Sequence, residues 1–193
     1  MKSNVIKISN ESNNINEILT EALTSSTLAG LESKKALRLR LLAEELVGML
    51  KELSGSYEGD FWIEEENLKF DLITRICVTK AMDNKTKKGF IDVSSDKKNA
   101  AAKGIMGKIR DVVENMMYPE KAFVSSSYIA YQLETDAMLG STSWSLNNYK
   151  DAQKEKEEPW DEIEKSIIAN VADNVKVSVK GKVVEIVITK DFA

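Results

Sequence analysis

The sequence predicts a single two-layer α+β domain, residues 1–193, in which a mixed, mainly antiparallel sheet carries helices on one face. Three patterns point there. Strand-like runs alternate with a period of two near both ends and in the middle of the chain. One long segment instead repeats its apolar residues at three- and four-residue spacings, and short polar or glycine-containing turns separate the two kinds of run. A chain of 193 residues fits one domain, since domains run on the order of 100–200 residues. With 42% hydrophobic and 30% charged residues, it belongs with globular rather than disordered chains.

Taken in order, Asn4–Ser9 (NVIKIS) alternates so that Ile6 and Ile8 share a face, which makes that face the inner one. Ile15–Leu23 (INEILTEAL) reads as a short amphipathic helix ending in a polar Thr-Ser-Ser. Ser33 is placed to cap a second helix over Lys34–Leu53, which stops at Ser54-Gly55. Its stripe of Leu39, Leu42, Ala43, Leu46, Met49, Leu50 and Leu53 has the spacing of a core-facing surface. A different line of the same helix holds Leu37, Leu41, Glu44 and Gly48. Two readings of that line stand. Either Glu44 looks into a partly enclosed space, or it is a surface acid one turn from Arg40, worth a few tenths of a kcal/mol (about 0.3). Gly48 is itself an oddity, because a glycine inside a helix costs about 1 kcal/mol relative to alanine.

Gly59–Glu64 and Leu68–Thr79 read as an antiparallel hairpin around the acidic Glu64-Glu65-Glu66-Asn67 turn. The polar, lysine-rich stretch from Ala81 to Lys103 reads as a loop, with a lid over 84–103 as its functional alternative. Ile105–Met117 is helical by its stripe of Ile105, Ile109, Val112, Val113 and Met116. Residues 118–158 read as an insertion, with a strand over Phe123–Leu133, a helix from Trp144 capped by Ser143, and a solvated helical face over Lys150–Glu158. Pro159 suits the first turn of a helix over Trp160–Val171. Trp144, Tyr149 and Trp160 read as aromatics that anchor the insertion to the core or line an exposed patch. The closing hairpin, VKVSV and VVEIVITK around Lys180-Gly181-Lys182, is the clearest in the chain.

Composition excludes several chemistries. There is no histidine, so histidine acid–base catalysis, Ser–His or Cys–His nucleophiles and imidazole metal ligation are ruled out. With a single cysteine, Cys77, disulfides within the chain and a zinc site fall away too; Cys77 in a strand reads as a buried thiol. A net charge of −4 is not the basic footprint of a nucleic-acid-binding domain. The N-terminal MKSNVIKISNESNN lacks a signal-peptide core, and no apolar run reaches the roughly 18 residues needed to span a bilayer. A cytoplasmic protein without membrane contact is expected.

In sequence order, these elements resemble the histidine-kinase-like ATPase family (the GHKL or Bergerat fold), among them the small bacterial anti-sigma-factor serine kinases. In that family the long helix carries an E-x-x-x-N box, whose Glu activates water or a substrate hydroxyl and whose Asn holds magnesium. Here Ala43-Glu44-Glu45-Leu46-Val47-Gly48 aligns Glu44 with the catalytic acid and puts Gly48 in place of the Asn. The family's D-x-G-x-G element, whose carboxylate takes the adenine amino group, has Asp83 as its nearest counterpart, without the glycines. The phosphate-binding G-x-G turn is approximated by Lys103-Gly104-Ile105-Met106-Gly107-Lys108, a G-x-x-G that opens a helix with lysines on both sides.

The resemblance covers about Asn4–Met117 and the last 35 or so residues. It implies ATP or ADP between Glu44 and Gly104, with Asp83, Lys103, Gly107 and Lys108 as the remaining binding residues and with ATPase or serine kinase chemistry. The lost Asn speaks against magnesium, which neutralises phosphate charge during transfer. No metal ligand is assigned. Two functions follow: a regulator that binds nucleotide and a protein partner such as a transcription regulator, or a non-catalytic interaction module with a degenerate pocket.

Overall fold

A computed structural model of the chain describes residues 1–11, 14–51, 56–80, 134–136, 141–154 and 167–193. In chain order these form β1 (Ile6–Ser9), α1 (Ile15–Leu28), α2 (Ser33–Lys51), β2 (Ser56–Glu66), β3 (Lys69–Lys80), β4 (Glu134–Asp136) and β5 (Ser141–Ser145). They continue as α3 (Leu146–Lys154), α4 (Ile167–Val171), β6 (Asn174–Lys180) and β7 (Val183–Asp191). The strands make one seven-stranded sheet in the order β1-β2-β3-β7-β6-β5-β4, antiparallel at every pairing. The fold is therefore α+β, as the alternating runs predicted.

The period of two sorts each strand into an inner and an outer set. Register lines up one inner row across six strands, from Ile6 through Phe61, Thr74, Ile186 and Val177 to Trp144. These residues are buried in one cluster with Ile18 and Ala22 of α1, Ile168 of α4 and the inner stripe of α2, apart from Thr74, which is equally buried but polar. In α2, Leu39, Leu42, Ala43, Leu46, Met49 and Leu50 are all buried, as their spacing required, and Val47 joins them. A fully buried Leu contributes roughly 1.5–3 kcal/mol, so this stripe fixes α2 against the sheet far more firmly than helix propensity does.

Several boundaries move, each for a local reason. α1 runs on through Thr24-Ser25-Ser26-Thr27 to Leu28 instead of stopping at Leu23. Ser26 and Thr27 each donate a hydroxyl hydrogen bond to the Leu23 carbonyl (2.7 and 2.9 Å), which satisfies these polar side chains inside a helix. Ser25 and Ser26 are buried, small enough to let α1 lie close to its neighbours. The helix ends in a Schellman motif: Gly30 has φ +72°, its N–H donates to Thr27 O and the Leu31 N–H to Ser26 O. α2 begins at Ser33, with the Ala36 N–H donating to Glu32 O at 2.9 Å.

The first hairpin turns at Asn67-Leu68, not within the glutamates, because both residues take positive φ (53° and 63°), as a type I′ turn needs. Leu68 tolerates that conformation because its N–H donates to Glu65 Oε1 and its carbonyl accepts from the Phe192 N–H. In the last hairpin the two-residue loop is Gly181-Lys182, with Gly181 at φ +61°.

The region expected to be an insertion supplies two strands of the sheet, β4 and β5. Trp144 lies in β5 rather than in a helix and is buried opposite Val177. α3 starts two residues later than expected, capped by Ser145, whose Oγ accepts from the Asn148 N–H. Cys77 corrects the expectation of a buried thiol: it is exposed, because the alternation of β3 turns it outward between the buried Ile76 and the outer register. The expected loop or lid, the helix over Ile105–Met117, the strand over Phe123–Leu133 and Trp160 lie outside the described residues.

Candidate functional site

The site expected from sequence begins on α2. At about 100° per residue, Leu37, Leu41, Glu44 and Gly48 fall on the side of the helix opposite its buried stripe. All four are exposed, Leu37 at 52% and Leu41 at 40%. Glu44 therefore does not look into an enclosed space among the described residues. Among the described residues, a Cβ built on Gly48 would meet nothing within 4 Å, so none of them packs closely enough to explain this glycine.

Glu45, which the sequence reading passed over, sits at the margin between that outer line and the core and is half-buried. Burial pushes its carboxyl up from the ordinary range, and the Glu44 charge adds to the effect. The available signal was position: Glu45 lies one turn before the buried Met49 and so falls at the edge of the apolar stripe.

Beside the same helix lies a cavity of about 300 Å³. Its apolar wall includes Ile8, Ile18, Val47 and Leu50, with Tyr57 and Asn14 among its polar groups. The Asn14 Nδ2 donates to the Lys7 carbonyl at 2.8 Å, and burial pushes the Tyr57 phenol above its usual range. Neither Glu44 nor Gly48 lines this cavity.

Part of the outer face of the sheet is a row of paired charges. Register sets Lys7, Asp60, Arg75 and Glu185 side by side across four strands. Lys7 Nζ lies 2.7 Å from Asp60 Oδ1, and Arg75 Nε donates to Glu185 Oε2 at 2.9 Å. Next to this row Trp62 is covered by Lys2 and Arg75, at 4.7 and 5.5 Å from its ring centre, and its Nε1 donates to Glu64 at 2.8 Å. Along this row the signs alternate, so its charges pair with one another.

Of the residues expected to form a nucleotide site, Glu44 and Gly48 are brought together, one turn apart on one exposed face. Asp83, Lys103, Gly104, Gly107 and Lys108 lie outside the described residues. Among the described residues, no group of three or more Asp, Glu or Cys side chains is placed to hold a metal ion, and no helix is long and apolar enough to cross a membrane. No family model, no curated protein and no solved structure matches the chain.

Proposed function

We propose that this chain is a regulatory protein-interaction module of the histidine-kinase-like ATPase type, without phosphoryl-transfer activity, and that the outer line of α2 is its binding surface. The observation that supports this is the exposure of Leu37 and Leu41 in line with Glu44 and Gly48, opposite the core. Two large aliphatic side chains held in water on a helix whose other side is fully packed suit a partner's apolar surface. The position where the family carries a magnesium ligand offers neither oxygen nor charge, which removes the group that would orient a triphosphate.

A nucleotide-binding regulator is the second reading. The open space beside Gly48 favours it, since ATP or ADP next to Glu44 would meet no obstruction from the described residues there. Calorimetric titration with ATP and ADP, with and without magnesium, separates the two. The module predicts neither heat nor thermal shift at millimolar nucleotide. Binding that Glu44→Gln weakens would establish the nucleotide reading instead. Gly48→Asn adds a direct probe: if it gains magnesium-dependent ATP binding, the rest of the nucleotide pocket is intact.

A further inference from the structure

We propose that the outer line of α2 binds a second copy of this chain, α2 packing antiparallel against α2 about a two-fold axis. This rests on the reading of that line as a protein-binding surface and names the partner.

Along α2, the positions Lys34, Leu37, Leu41, Glu44, Gly48 and Lys51 alternate three and four residues apart, and every one is exposed. That is the 3.5-residue repeat of a helix–helix seam, superimposed on a helix whose opposite stripe is already used in the core. The spacing reads the same in both directions, as a two-fold antiparallel pairing requires. With the axis between Leu41 and Glu44, Leu37 of one copy faces Gly48 of the other. The space at Gly48, into which no atom of the described residues comes within 4 Å of an added Cβ, then becomes the hole that receives Leu37. Leu41 lies along the aliphatic stem of the other copy's Glu44.

Charge sets the direction. Arg38 and Glu45 flank the seam on the same side, seven residues apart, so the antiparallel pairing brings Arg38 beside the second copy's Glu45, twice by symmetry. Lys34 and Lys51 approach only at the solvated ends, where salt screens them. The antiparallel pairing staggers the two Glu44 by about 4.5 Å along the helices; a parallel pairing would instead set them directly opposite, without the Arg38–Glu45 pairs, and leave two glycines facing each other. The seam from Lys34 to Lys51 is about 25 Å long at 1.5 Å per residue. A single helix pair is at the small end of specific interfaces, so micromolar association follows.

Sedimentation velocity of the full chain from about 1 to 200 μM tests this. The mass is expected to rise from the 21.6 kDa monomer toward twice that value. Gly48→Gln, which fills the hole on an unobstructed helix face, is expected to weaken association at least roughly tenfold while leaving the monomer's melting temperature unchanged or higher. Arg38→Glu weakens it, and Arg38→Glu combined with Glu45→Arg restores it. A chain that stays monomeric throughout, or a dimer indifferent to Gly48→Gln and to the charge exchange, overturns self-association. Monomeric behaviour leaves the protein-binding reading standing; nucleotide binding that depends on Glu44 overturns that reading whatever the mass.

Discussion

Replacing Gly48 with alanine is expected to stabilise the protein. In the interior of α2 the glycine gives up more backbone freedom on folding than alanine would, by about 0.5–1 kcal/mol. Packing against the described residues takes nothing back, because the added methyl group meets none of their atoms within 4 Å. The net gain is therefore the whole propensity difference, which for a chain of this size raises the melting temperature by roughly 1–4 °C. Thermal and urea unfolding at about 0.1 μM, well below the micromolar association, measures it; the midpoint rises with the urea slope unchanged. A loss of stability would mean that something packs against Gly48, and the reading of α2's outer line as open surface would fail.

Three further outcomes follow from the core and its edges. Thr74→Val is expected to stabilise by about 1 kcal/mol in urea unfolding, because the fully buried Thr74 hydroxyl has no hydrogen-bond partner among the described residues and interrupts an otherwise apolar row; an unchanged midpoint would show that it is satisfied. Gly59→Ala is expected to cost about 2–3 kcal/mol, since its Cβ would clash with the Arg75 carbonyl and come within 2.8 Å of Ile76 Cα across the β2–β3 pair. A neutral result in the same measurement would mean that the two strands can part at no cost. For Asp173, burial pushes its carboxyl up, but hydrogen bonds from the Asp191 N–H and Lys190 and the nearby Lys190 and Lys150 charges outweigh that and hold it below its ordinary value. A lowered carboxyl stabilises the fold above its unfolded-state value and loses that contribution as pH falls through the folded value. Asp173→Asn is thus expected to cost about 1 kcal/mol near pH 7, discounted for its exposure, with the difference from the natural protein fading below about pH 4 in pH-dependent unfolding.

How far the sequence was legible depended on the range of the interaction. The α2 stripe was read from spacing alone, because a helix with one apolar side has one way to bury it. Both hairpins were legible from their alternation, which is local, and the closing one also from its turn at Gly181; the first turn fell at Asn67-Leu68 instead of within the glutamates because two residues without a glycine take positive φ there. Exposure of Cys77 was also encoded, since Ile76 beside it had to be the inward residue; the error lay in weighing the residue type above the alternation. The end of α1 was hidden because Ser26 and Thr27 satisfy their hydroxyls on the Leu23 carbonyl, an arrangement that composition disguises as a turn. β5 was missed for a non-local reason: Trp144 is a strand residue only because Val177, far along the chain, stands opposite it. For the site, the line from Leu37 to Gly48 was visible in the sequence, but which side of α2 the core would take in full, and hence that Glu44 faces solvent, depended on how the sheet packs beneath it.

Whether the outer line of α2 is a protein-binding surface or one wall of a working nucleotide site is decided by isothermal calorimetry of the full chain with ATP and magnesium, run in parallel on Glu44→Gln. A protein-binding surface gives no binding heat from either protein at millimolar nucleotide. A magnesium-dependent heat from the natural chain that Glu44→Gln removes would contradict it.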